Sequence, residues 1–144
     1  LSMKKYKIGY TTGDFDMFHI GHLNILRCAK EQCEVLVVGV STDELVESYK
    51  GKRPIICFED RKQIVESIRY VDKVVPQENM DKLFAWQQLH FDVLFHGDDW
   101  KDTPMYNKLI DDFKLVGVDV VFLPHTPGVS STLLTKVLHD LYDK

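Results

Sequence analysis

The sequence predicts one doubly wound α/β domain: a five-stranded parallel sheet with helices on both faces. Three observations carry that expectation. Short apolar runs alternate with amphipathic segments along all 144 residues, and parallel strands need the crossover connections that helices supply. The run Val35-Leu-Val-Val-Gly-Val40 is nearly continuous and valine-rich, which fits a strand buried on both faces. The length suits a single hydrophobic core, and no repeat, linker or low-complexity segment interrupts it.

Residues 6–12 read as the first strand, and 20–30 as a helix with Leu23, Leu26 and Ala29 on its apolar side and Ile25 at the margin. The second strand is 35–40. A short helix is expected over 42–47, capped by Thr42 or Ser41, whose hydroxyls can accept from first-turn amides. Residues 48–57 read as a basic loop broken by Gly51 and Pro54. A helix over 58–68 spaces Ile64, Val65 and Ile68 to face a core. The third strand is 71–75, followed by a helix over 80–89, a strand over 93–96 and a helix over 104–116. The fifth strand is 118–123, and the closing helix, 130–141, is entered from a Ser/Thr-rich turn.

Composition is ordinary for a globular chain, 44% hydrophobic and 28% charged. A formal charge of −4 argues against a nucleic-acid partner, since phosphate-backbone binders carry a basic excess. Cys28, Cys33 and Cys57 are odd in number and form no Cys-x-x-Cys pair. They are expected to be reduced and mostly in the core, which favours the cytoplasm. No stretch approaches the roughly 18 apolar residues of a membrane span. No signal peptide precedes Met3, and Leu1-Ser2 reads as an expression scar.

In doubly wound sheets, ligands bind outside the carboxyl ends of the strands. Four loops with unusual polar residues fall there: 13–22, 41–52, 97–100 and 124–132. Gly13 permits a turn that most residues resist. His19 and His22 enter a helix three residues apart, so both imidazoles share one face of its first turn. The exposed amides of a helix start suit an anion. Two imidazoles beside them suit a phosphate whose charge grows during reaction.

Gly13-Asp-Phe-Asp-Met-Phe-His-Ile-Gly-His22 resembles the GxFDxxHxGH signature of the HxGH nucleotidyltransferase superfamily. Arg61-Lys62, Ile68-Arg-Tyr-Val-Asp72, Gly97-Asp-Asp-Trp100 and His125-Thr-Pro-Gly-Val-Ser-Ser-Thr132 resemble its cytidylyltransferase branch, with the pattern nearest to the glycerol-3-phosphate cytidylyltransferases. The likeness runs from Tyr6 to the closing helix. It implies a Rossmann-like fold and transfer of CMP from CTP to a phosphorylated alcohol, with release of diphosphate. It also implies a homodimer, and Mg²⁺ carried by the triphosphate rather than by protein side chains.

By the same resemblance, His19 and His22 contact the triphosphate and stabilise the pentacoordinate α-phosphorus. The backbone of Asp14 and Phe15 lies along the phosphates. Lys50 holds the acceptor phosphate and Lys52 the nucleotide, while Arg61 and Arg69 match positions used near the active site. Asp99 and Trp100 help hold the nucleotide or the acceptor. His125, Thr126, Gly128, Ser130, Ser131 and Thr132 surround the β- and γ-phosphates. Two departures matter. Asp14 stands where most relatives carry Thr or another small residue, and His125 stands where the closing motif usually begins with Arg. An acid beside a triphosphate is unfavourable unless it points away or meets the metal. Histidine is only partly charged where arginine is always charged, so the acceptor stays open beyond glycerol 3-phosphate, to another phosphorylated alcohol or a phosphonate.

Other readings compete. Lys50, Lys52 and Arg53 also fit a solvated charge run, and Arg69 with Asp72 fits a structural ion pair or subunit contacts. An adenylyltransferase using ATP shares the first signature. Asp14, Asp16, His19 and His22 could ligate a metal in a hydrolase or isomerase. A silent nucleotide sensor would keep the fold without turnover.

Overall fold

The computed structural model describes residues 4–127 and 131–142, the latter stretch without the side chains of 131–133, 135 and 142. Strand β1 (Tyr6–Gly13) leads into helix α1 (Ile20–Gln32), and β2 (Cys33–Ser41) into α2 (Asp43–Lys50) and α3 (Phe58–Glu66). Then come β3 (Lys73–Gln77), α4 (Lys82–Leu89), β4 (Val93–Gly97), α5 (Pro104–Lys114), β5 (Asp119–Leu123) and α6 (Ser131–Tyr142). The strands form one sheet in the order β3-β2-β1-β4-β5, and every pairing is parallel. This is the doubly wound architecture that the alternation of apolar and amphipathic segments predicts.

Successive strand residues enter two separate cores. Leu36, Val38 and Val40 of β2, with Val93 and Phe95 of β4, face Leu26 and Ala29 of α1 and Val65 of α3. Val37 and Leu94 turn the other way, toward Tyr106 and Phe113 of α5. Both faces are therefore apolar, which is why β2 lacks the polar alternation of a half-exposed strand. Each such buried side chain contributes about 1.5–3 kcal/mol.

The largest departure from the expected boundaries lies at the end of α2. Thr42 caps it by accepting from the Leu45 amide, and the helix runs through Lys50 to a left-handed Gly51 at φ 79°. Residues 48–50 are thus helical rather than loop. Gly51 does not break the helix early; it closes it, as glycine does at a C-cap. Elsewhere α3 ends at Glu66, β3 starts at Lys73, and Asp81 delays α4 by capping it through the Phe84 amide. Residues Asp98–Trp100 form a single 3₁₀ turn. Cys33 is buried and Cys28 half-buried, whereas Cys57 is exposed, against the expectation of a core position.

Strand order reverses between β1, the central strand of the sheet, and its neighbour β4. A crevice outside their carboxyl ends is where such a sheet accepts a ligand.

Candidate active site

Between β1 and α1 the chain crosses this edge with Phe15 and Met17 at φ 54° and 51°. That backbone region costs a non-glycine residue about 1 kcal/mol or more, so surrounding structure must hold it. Two buried side chains do so. Asp16, 4% exposed, accepts from the amides of Ile55 at 2.8 Å and Ile56 at 2.9 Å. Arg61 is completely buried and donates to the carbonyls of Asp14 (2.6 Å), Ser41 (2.7 Å) and Ile56 (2.8 Å) and to the Asp43 carboxylate (2.8 Å). One satisfied guanidinium thus ties the loop after β1 to the end of β2 and the start of α2.

His19 caps α1. The Gly21 amide donates to His19 Nδ1 at 3.0 Å, and the His19 amide donates to His22 Nδ1 at 3.2 Å. This is a capping box built from two imidazoles. Their rings stack with centroids 4.0 Å apart. A nitrogen that accepts an amide proton carries none of its own, so each neutral ring has its proton on Nε2. Burial lowers the pKa of His19 from its ordinary value, and burial together with the nearby His19 pushes His22 down to about 3. Both rings are then neutral N–H donors at pH 7. Among the described residues His19 Nε2 is buried without a protein partner, a cost of about 1–3 kcal/mol that a ligand oxygen would remove. Gly21 explains the spacing: a Cβ there would sit 2.8 Å from His19 Cε1.

Lys50, on the last turn of α2, places Nζ 2.5 Å from one Asp14 oxygen, and the Tyr49 hydroxyl donates to the other. Asp14 therefore points toward α2 and meets a protein cation. A cavity of about 290 Å³ opens beside it, lined by Asp14, Asp16, Val46, Lys50, Lys52, Arg53, Pro54 and, from α6, Lys136, His139 and Asp140. Arg53 leans back onto Asp43, Glu44 and Glu47 at 3.7, 3.4 and 3.9 Å. All three cations of the basic run line the cavity, and Arg53 is also tied into a surface ion-pair network. A second hollow of about 300 Å³ lies between the end of β3 and α4, lined by Glu78 and Asp81 but by no cation, which does not suit a polyanion.

Across the switch point, His125 Nδ1 lies 3.1 Å from Asp98 Oδ1 and 3.9 Å from Asp99 Oδ1. The two carboxylates raise the His125 pKa, through the hydrogen bond to Asp98 first. These three exposed side chains are the one grouping of metal-ligand type among the described residues. Asn24 Nδ2 donates to Thr126 Oγ1 at 2.7 Å, joining α1 to the loop after β5. Trp100 is 38% exposed and packs edge-on against His96. Beneath the edge, Lys82 is 5% exposed and donates to Thr12 Oγ1 (2.8 Å) and Gln77 Oε1 (2.5 Å); burial lowers its pKa to about 8.

With this geometry in view, the comparisons with known proteins are decisive. The model of the cytidylyltransferase-like family matches residues 10–137. The chain belongs to that family. It is 37% identical to the glycerol-3-phosphate cytidylyltransferase of Bacillus subtilis (strain 168), over 91% of this chain and 96% of that one. Identity to the enzyme of the same description from Staphylococcus aureus (strain NCTC 8325 / PS 47) is 36%, over 93% and 94%. Among solved structures, a lipopolysaccharide core biosynthesis protein from Thermoplasma volcanium superposes with a TM-score of 0.70 at 24% identity, covering 84% of this chain and 97% of that one. Pantothenate synthetase from Thermus thermophilus superposes at 0.65 with 13% identity, covering 92% and 63%. At such identities these two likenesses speak for the fold alone.

In this cytidylyltransferase-like chain, the fold brings His19, His22, Asp14, Lys50 and Lys52 to one wall of the edge and Asp99, Trp100, His125 and Thr126 to the other. Phe15 is buried against Phe18 and His22. Arg61 lies under the wall rather than on it. Arg69 precedes β3 at the amino edge of the sheet, with its guanidinium over the Tyr70 ring and bonded to the Tyr70 hydroxyl. Asp72 pairs with Lys30 at 2.6 Å instead of with Arg69. Gly128 and Ser130, and the side chains of Ser131 and Thr132, lie outside the described residues. Sequence reasoning gave no supporting role to Asp16 or Tyr49. The aspartate could have been found from the strained turn it must stabilise; for Tyr49 no local signal exists.

Proposed function

We propose that this chain transfers CMP from CTP to glycerol 3-phosphate, releasing diphosphate. The observation that carries the reading is the stacked pair of neutral imidazoles that starts α1 at the switch point of the sheet, with His19 Nε2–H unpartnered among the described residues, together with the lysine-lined cavity beside Asp14. The two glycerol-3-phosphate cytidylyltransferase relatives, matched over more than 90% of both chains, support CTP and that acceptor.

A phosphate monoester is mostly dianionic at neutral pH, since its second pKa is near 6. Its oxygen attacks the α-phosphorus of CTP, the bond to the bridging α–β oxygen breaks, and diphosphate leaves with the electron pair. No strong base is required. Catalysis is positioning and charge stabilisation. His19 and His22 donate to the α-phosphate oxygens as negative charge grows on them. Lys50 holds the acceptor phosphate, Lys52 the nucleotide, and Lys82 adds positive charge beneath. Asp99 and Trp100 hold the nucleotide, and His125, Thr126, Gly128, Ser130, Ser131 and Thr132 hold the β- and γ-phosphates. Arg61 acts through the Asp14 carbonyl as a positioning residue, and we assign Arg69 to subunit contacts in a homodimer.

The carboxylates of the loop are committed, Asp14 to Lys50 and Asp16 to two amides, so Mg²⁺ would ride on the triphosphate. When bound, it supplies charge neutralisation for the diphosphate group. No described helix is long and apolar enough to cross a membrane; we place the reaction in the cytoplasm.

The test is diphosphate release, with each nucleoside triphosphate paired against glycerol 3-phosphate and a panel of other phosphorylated alcohols and phosphonates. CTP with glycerol 3-phosphate should turn over fastest. Turnover with ATP but not CTP would overturn the nucleotide assignment, and preference for another acceptor would overturn glycerol 3-phosphate. Tight CTP binding without turnover of any pair would point to a sensor.

A further inference from the structure

We infer that Asp14 is a specificity-determining residue: its carboxylate holds Lys50 in an ion pair, and an incoming phosphate must take the lysine from it. The inference rests on the proposed role of Lys50 at the acceptor phosphate. Asp14 is the only acid directly contacting that lysine among the described residues, with Nζ at 2.5 Å. The carboxylate cannot swing freely. The Tyr49 hydroxyl donates to its second oxygen, and Arg61 fixes its backbone carbonyl at 2.6 Å. Its side chain is 13% exposed and that of Lys50 39%, so the carboxylate is the sheltered partner and the ammonium the one turned toward the cavity.

A fixed carboxylate beside a mobile lysine acts as an internal competitor for anions. A ligand with one negative charge offers Lys50 no more than Asp14 already does, and it also meets the repulsion of that carboxylate. A phosphate dianion offers twice the charge and three acceptor oxygens. Asp14 therefore weakens binding of every anion at Lys50, since each must break the same ion pair, and only an anion that offers the lysine more than a carboxylate does still binds well. A Thr or another small neutral residue at this position would leave the lysine unopposed.

The experiment measures binding of inorganic phosphate and of nitrate, a monoanion, to the full chain by calorimetry, alongside steady-state kinetics. The variants are Asp14→Asn, Asp14→Thr, Lys50→Met and the Asp14→Asn/Lys50→Met double variant. Loss of an ion pair of intermediate exposure should tighten phosphate binding roughly tenfold in Asp14→Asn. Nitrate affinity should rise by a smaller factor, because the carboxylate repels a monoanion less than a dianion. The acceptor KM should fall with it, while the KM for CTP moves less, and Asp14→Thr should behave alike if Asp14→Asn fails to fold. In the Lys50→Met background the gain should vanish, which is the coupling that a merely structural role would not produce. Unchanged or weaker phosphate binding in both Asp14 variants would overturn the inference. So would the same gain without Lys50. Phosphate and nitrate binding do not depend on turnover, so a wild-type chain that makes no product sinks the functional reading while leaving this inference readable.

Discussion

At the scale of single residues, the site is a set of proton and charge assignments fixed by neighbours. His19 and His22 use Nδ1 to accept from backbone amides at 3.0 and 3.2 Å, and this leaves Nε2–H as the only donor on each neutral ring. Replacing His19 by Ala removes a donor aimed at developing charge, and such donors are worth about 10²–10³ in kcat. We expect kcat to fall by that order with the KM for CTP changed far less, measured by diphosphate release. A raised KM with kcat unchanged would assign His19 to ground-state binding. Gly21→Ala should reproduce much of the loss without touching a polar atom, because the new Cβ would sit 2.8 Å from His19 Cε1 and displace the ring. Its melting temperature separates that outcome from unfolding. Lys82 makes a pH prediction. Burial lowers its pKa to about 8, so it is charged below that pH and neutral above it. Acceptor KM should rise above pH 8 in the wild type, and Lys82→Met should abolish that rise.

At the scale of elements, what was legible in the sequence was whatever depends on local pattern. The valine-rich run gave β2 because both of its faces are covered, and the His-x-Gly-His spacing gave the start of α1 because the imidazoles themselves form its cap. The end of α2 was misread because Gly51 and Pro54 look like breakers, and only the fold shows that Gly51 closes a helix carrying Lys50. Arg61 illustrates a second limit. Its position in a charged helix, beside Glu59, Asp60 and Lys62, says nothing of burial, yet it is 0% exposed and bonded to four groups from separate segments. Long-range satisfaction of a buried cation leaves no trace in spacing. Because Arg61 joins the loop after β1 to β2 and α2, Arg61→Met should damage more than one element. It strands three carbonyls and the Asp43 carboxylate, and removing one partner of a buried pair costs about 3–5 kcal/mol. A melting temperature within a degree or two of the wild type would show that those carbonyls find other donors.

At the scale of the whole molecule, half-buried neutral histidines on both walls of the crevice link stability to pH. Burial lowers the pKa of His19, sends His22 to about 3 with help from His19, and sends His96 to about 4 with help from the Lys82 charge. Each folded value lies below the ordinary value near 6.5, so the unfolded chain binds these protons first. Above about pH 6.5 neither state is protonated, and the histidines leave stability unchanged. As pH falls from there toward the folded values, each group costs up to about 1.4 kcal/mol per unit, less where solvent reaches the ring. Two other groups act differently. Asp72 has a lowered pKa from its bonds to Lys30 and the Leu36 amide, overcoming burial; its contribution is present above its ordinary carboxylate pKa and is lost only further into acid. His125 is raised and fully exposed, so its small contribution runs the opposite way, present in acid and lost as pH rises through its folded value. The melting temperature should therefore fall between pH 6.5 and 5, a window set by the three lowered histidines. His96 is the informative one to replace, since its ring packs against Trp100 and Tyr106 at centroid distances of 5.8 and 5.2 Å and a phenyl ring can keep those contacts. His96→Phe should flatten the decline by roughly one proton's share, measured by thermal unfolding across that range. A decline of unchanged steepness would mean that His96 takes up its proton in the folded protein at its ordinary value.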